Sequence, residues 1–287
     1  MTAVFRHELR NDFHALTTYL FGGCLLAFIG LWAMMYNIQA SVSNFEFVLM
    51  NSCLAFVVIV PILTMRTIAE ERRQKTDQLL YSLPITTLQV VLGKYLALLA
   101  VYAVPLCIIA AYPLIFAQYG EVYLPTSYGS LFAFFLLGAA LLSIGMFLSS
   151  LTENQGFAAG IGIAAILLNY YSVSLSEYVS STAFGSAVVL YVPIILLGVL
   201  IRHVTGNEKL AWGVSFVLLA VTVAAYFMDT AAFEGLLPKV MTQLSLFERF
   251  YVFVNGVFDW TAVVYYASVI GFFLFLTVQS MEKRRYN

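Results

Sequence analysis

Apolar residues in this chain gather in long unbroken runs. Eight stretches of roughly 17 to 24 residues carry almost no charge: 16 to 36, 47 to 65, 95 to 117, 128 to 150, 156 to 173, 183 to 201, 211 to 228 and 262 to 280. Each is close to the roughly 20 residues a helix needs to cross about 30 Å of hydrocarbon. The pattern predicts an all-α polytopic transmembrane bundle of about eight spans in one domain, 1 to 287. Glu177 and the Ser/Thr-rich stretch around it lie between the fifth and sixth runs, so a re-entrant pair there would lower the count to six or seven. The first run starts near Ala15 and has no small-residue cleavage site after it, which reads as a retained span. Pro61, Pro105, Pro113, Pro193 and the Gly156/Gly160 pair read as kinks and helix packing.

Composition sharpens this picture. With 62% hydrophobic and 10% charged residues and a mean hydropathy of +0.90, lipid must solvate most of the chain and no sizeable aqueous domain fits. If the amino terminus is cytoplasmic, Arg6, Arg10, Arg66, Arg72, Arg73, Lys75, Lys94, Arg202, Lys209, Lys283, Arg284 and Arg285 fall inside. Only Lys239 and Arg249 fall outside, so twelve of the fourteen basic residues share one side. That asymmetry predicts a multi-pass membrane protein with both termini cytoplasmic. No span holds an internal charge, Asp229 lying at the outer end of the seventh, and none has a polar run to line a wide pore, so ion-coupled pumps and channels are disfavoured. The net charge of -1 says nothing of nucleic acid by itself, and no nucleic-acid partner is expected. Cys24, Cys53 and Cys107 form no CxxC and read as packing residues, leaving no expected metal site.

Three segments break the apolar background. In residues 2 to 14, within an interface segment 1 to 15, Phe5, Leu9 and Phe13 recur opposite Arg6, Arg10 and Asn11. This predicts an amphipathic helix in the membrane interface. The loop 66 to 94 is densely charged at first, with Glu70, Glu71, Arg72 and Arg73. It then shows Leu79, Leu80 and Leu83 before Pro84, which predicts a helix from Ile68 to Leu83 with an apolar tip suited to a soluble partner's groove. In the segment 230 to 261, Val240, Leu244, Phe247, Tyr251 and Val254 form a stripe with Glu248, Asn255 and Asp259 off it. These are expected as re-entrant or interfacial helices on the extracytoplasmic side.

The stretch Ala69-Glu70-Glu71-Arg72-Arg73, then Thr76-Asp77-Gln78-Leu79-Leu80, Ser82-Leu83-Pro84-Ile85 and Gly93-Lys94, resembles the coupling loop of ABC-2 type transporter permeases. The carboxyl end, with Phe247-Glu248-Arg249-Phe250, Gly256-Val257, Asp259, Tyr265-Tyr266 and Phe275-Leu276-Thr277, is similar to the gliding-motility branch of that family. The resemblance covers residues 1 to 175 and 230 to 285, and the pair of runs between 180 and 228 looks like an addition to a six-span plan. It departs at Lys75, where the family commonly has glycine before the threonine. It implies a permease subunit exporting a hydrophobic or amphipathic peptide, lipid or drug. The interface helix and the residues from Glu70 to Pro84 would then contact a separate ATPase that binds ATP and Mg. Two permease chains, identical or sister, would pair around the path, with an accessory membrane protein that has an extracytoplasmic domain as a further expected partner.

The chain carries no GxxxxGK, since position 88, upstream of Gly93-Lys94, is Leu, so no nucleotide cofactor is expected on it. An intramembrane protease is the runner-up among enzymes because of the Glu70-Glu71 pair. It is disfavoured by Lys75 where that motif wants Arg, and by His7, His14 and His203 lying at predicted interfaces. His7-Glu8 is no zincin motif, as position 11 is Asn. A membrane scaffold without transport is the other alternative.

Overall fold

Backbone amides and carbonyls in hydrocarbon have no water to bond, so a long apolar segment must satisfy them within itself, as a helix does. The computed structural model describes residues 2–76, 85–178, 185, 191, 194–199, 201–202, 208–228 and 233–286, and every regular element among them is helical. In chain order these are α1 (Thr2–His14), α2 (Leu16–Ala33, continued by a π-helical turn Met34–Gln39), α3 (Glu46–Thr64), α4 (Ala69–Gln74), α5 (Thr87–Ile109) and α6 (Tyr112–Phe116). Then follow α7 (Leu124–Ser150), α8 (Gln155–Tyr170), α9 (Ser172–Tyr178), α10 (Glu208–Met228), α11 (Leu236–Leu244), α12 (Leu246–Val254) and α13 (Trp260–Tyr286).

Five stretches among the described residues are long and apolar enough to cross a membrane: Leu16–Gln39, Glu46–Gln74, Thr87–Phe116, Leu124–Ser150 and Trp260–Arg284. They contain the expected runs 1 to 4 and 8 almost whole. The fifth run is α8, which bends by 61° into α9, and the two together would make a sixth crossing. Most of the sixth run, 183 to 201, lies outside the described residues, and the seventh gives an apolar stretch, Trp212–Ala224, too short to count as a span by length.

The chain forms two compact units, one of residues 1–168 and 249–278, the other of 169–248 and 279–287. In the first, α2 packs on α3, α3 on α7, and α5 on both α2 and α7. Its centre is aromatic: Phe56 lies 4.6 Å from Phe134 and 6.0 Å from Tyr102, while Phe134 meets Phe250 edge-on at 5.8 Å. Tyr102 is buried, and its hydroxyl donates to the Phe134 carbonyl at 2.7 Å. A side chain at Gly138 would collide with that ring, and one at Gly145 with Thr64, so these two glycines let α7 approach α5 and α3 closely.

In the second unit α9 packs on α11. The Asn169 side chain donates to Leu244 O at 3.3 Å and accepts from Leu246 N–H at 3.0 Å, spanning the junction of α11 and α12. The stripe expected to run through both helices is broken there. Ser245 is extended and starts α12 afresh, its hydroxyl accepting from the Glu248 amide at 3.2 Å, half of a capping box. Leu244 is therefore exposed. The chain returns to the first unit at Arg249, within α12, whose buried residues are Leu246, Phe247, Phe250, Phe253 and Val254. Gly256, at φ +81°, closes α12, with its own amide and that of Val257 bonded back to Phe253 and Val252. Asp259 caps α13 by accepting from Thr261 N–H at 2.8 Å, and the Thr261 side-chain and backbone donors hold its carboxyl below the usual range.

Candidate functional site

The charged segment after α3 is folded back on the bundle. It was expected as a helix from Ile68 to Leu83, but the helix stops at Gln74. Lys75 takes the left-handed conformation, φ 57°, and its amide and that of Thr76 close the end onto Arg72 and Glu71 carbonyls, a Schellman motif. The resemblance leads one to expect glycine at this position, the residue best suited to positive φ. Asp77, Leu79, Leu80, Leu83 and Pro84 lie outside the described residues.

Within α4 the four charges do not share one outward face, as a single docking surface would require. Glu70 turns to Arg66, accepting two bonds at 2.7 and 3.1 Å. Glu71 points inward to Lys94 at 2.6 Å, and Arg72 is 5% exposed with its guanidinium donating to the Ser150 carbonyl. Arg73 is exposed, and the Thr76 hydroxyl reaches Glu71 O at 3.3 Å. The two carboxylates are thus turned apart toward two different cations, Arg66 and Lys94.

Lys94 is the centre of the arrangement. It is 2% exposed, and its ammonium lies 2.9 Å from Glu8 and 2.6 Å from Glu71. An ammonium so buried is tolerated only with close counter-charges, and here α1 and α4 each supply one to α5. Gly93 beside it explains why α1 can come so near, since a side chain there would press on Val4 at 2.9 Å. Thus α1 packs along α5 through Val4 and Glu8 in addition to its apolar stripe. Phe5 and Leu9 are half-buried, while Phe13, Arg6 and Arg10 are exposed.

Beside this network lies a cavity of about 690 Å³ lined by Glu8, Asp12, Glu70 and Glu71 with Arg66 and Lys94. Asp12 is pushed up to about 6, mainly by burial and next by the Glu8 charge, against the opposing pull of Lys94 and Arg66. A second anchor lies at the last turn of α7. The Ser149 hydroxyl accepts from the Ile68 and Ala69 amides at 3.3 and 3.1 Å and donates to Met65 O at 3.1 Å.

The arrangement fastens a short charged helix to its neighbours. A model described as ABC-2 family transporter protein matches residues 32–228. The chain belongs to the ABC-2 transporter family. No curated protein matches it significantly. The family match runs through 180 to 228, so the pair of runs set apart by sequence as an addition lies inside the matched region, and the match stops before the 230 to 285 segment. As an ABC-2 family member the chain is a multi-pass membrane protein and the membrane-embedded permease part of an ABC transporter.

Of the residues that build this network, sequence pointed to the α4 charges but missed Glu8, Asp12, Ser149 and Ser150, and took Lys94 as a topology signal and as part of the coupling-loop resemblance, without a partner for it. The signal for Glu8 and Asp12 was present, since Val4, Glu8 and Asp12 recur every four residues beside the apolar stripe of α1. For the two serines there was none, because a Ser-Ser pair at a helix end is common on any surface.

Proposed function

We propose that the chain is the transmembrane permease subunit of an ATP-driven exporter of hydrophobic or amphipathic substrates. A separate ATPase binds ATP and Mg and acts on the segment from Glu70 to Pro84 together with α1. The observation that carries this reading is the Glu8–Lys94–Glu71 network, in which one buried cation ties α1, α4 and a span. A load on either peripheral helix is felt by α5, because separating either carboxylate leaves the buried Lys94 ammonium with one counter-charge in place of two.

The rest of the assembly follows the sequence asymmetries. Eight spans put both termini on the cytoplasmic side of a prokaryotic membrane and the 230 to 261 segment outside. A second permease chain, identical or sister, completes the path. An accessory membrane protein with an extracytoplasmic domain accompanies the complex if it belongs to the gliding-motility branch. Coupling demands that the docking segment bind one nucleotide state of the ATPase better than another, since equal affinity shifts nothing.

Purification of the tagged full chain from native membrane in mild detergent, with partners identified by mass spectrometry, tests this. A stoichiometric soluble protein bearing a Walker motif is the expected result, and Leu80→Asp should release it or uncouple its ATP hydrolysis from transport. Repeated purification without any ATPase would instead favour a scaffold.

A further inference from the structure

The buried bonds at the end of α7 bear on which span answers to α4. We propose that Ser149 and Arg72 are positioning residues that latch α4 to α7, making α7 the span that moves when the coupling segment is displaced; this rests on the permease reading above.

Helix α4 begins without a cap of its own. Ile68, at φ -125° and ψ -39°, has no side-chain acceptor to offer the first free amides of the helix. That task falls to Ser149 on another helix, whose hydroxyl accepts from the Ile68 and Ala69 amides while donating to Met65 O, where α3 ends. One hydroxyl thus uses all three of its bonding positions at the joint between α3 and α4. Ser149, Ile68 and Ala69 are all fully buried or nearly so, which leaves no water to replace a broken bond. Four residues on, the Arg72 guanidinium donates to the carbonyl of Ser150, the last residue of α7, where a helix has free acceptors and partial negative charge.

Both turns of α4 are therefore held by the same two-residue step of α7. Helix α7 is well made to carry a displacement. It is 27 residues long, roughly 40 Å, and its close approaches at Gly145 and Gly138 fix it against Thr64 and Tyr102.

The test uses the full chain with its co-purified ATPase in lipid nanodiscs, with Cys24 and Cys107 replaced by Ser and spin labels at Tyr123→Cys and Trp260→Cys. Tyr123 and Trp260 are exposed, at 72% and 70%. Addition of ATP and vanadate should change the label separation in the otherwise native chain. In Ser149→Ala the ATPase should still bind and turn over while that change shrinks several-fold. Arg72→Lys, which restores a cation to the same carbonyl, should keep it, and Arg72→Gln should reduce it. A full distance change in Ser149→Ala with the ATPase bound would overturn the latch. So would a native chain in which ATP and vanadate leave the separation unmoved.

If Ser149→Ala fails to assemble, hydrogen exchange of the full chain alone decides. Exchange of the Ile68 and Ala69 amides at least tenfold faster in the variant supports the latch, and unchanged exchange refutes it. A native chain that brings down no ATPase defeats the permease reading, and the exchange measurement still judges whether Ser149 caps α4.

Discussion

Gly256 and Lys75 both follow a helix end at positive φ, Gly256 without strain and Lys75 with it. Lys75→Gly is expected to stabilise the folded chain by about 1 kcal/mol, and Gly256→Ala to destabilise it by about as much, both measured by thermal unfolding in detergent. Lys94 carries a heavier load. Lys94→Met leaves the half-buried Glu8 and Glu71 without this cation and should cost about 2 kcal/mol, most of it recovered when both carboxylates are also made Gln. Asp12 sets a pH dependence. Its folded carboxyl binds a proton up to about pH 6 against an ordinary value of 3.8, so the folded state holds the proton more tightly and stability falls as pH rises through that interval. Asp12→Asn should accordingly be more stable than the native chain at pH 7.5, with the difference vanishing below about pH 4. A constant difference across that range would show that Asp12 is not the titrating group.

At the scale of elements, what matters is where helices stop. Ser245→Ala should cost about 1 kcal/mol by removing the cap on α12, seen as faster hydrogen exchange at the Glu248 amide. The positions of the long spans could be read from hydropathy alone, because a run of about 20 apolar residues has one outcome in lipid. Helices α1, α11 and α12 fall within the two segments that the residue spacing singled out. Their inner faces could not be read from that spacing. Glu8 sits on a polar position of α1 by pattern, yet it faces Lys94, and only the pairing across 86 residues of sequence turns a charge inward. Likewise the reach of α4 was overestimated because helix periodicity continues past Lys75 into the leucines. The stop is set by backbone dihedrals at a residue that does not advertise it.

For the molecule as a whole, the chain's topology is open to a direct check. Glycosylation or cysteine-labelling reporters at Gln118 and Asn207 should report opposite faces of the membrane, and labelling from the same face would reduce the number of crossings. The buried lysine adds a constraint on biosynthesis. Both carboxylates that neutralise Lys94 precede it in the chain, one in α1 and the other in α4. As the ribosome extends the polypeptide, Glu8 and Glu71 have emerged before α5 begins to enter the bilayer, so the ammonium never has to wait in lipid for counter-charges still to be synthesised. A chain whose translation starts after residue 15 would meet that step with one carboxylate fewer, and its third span should insert less completely.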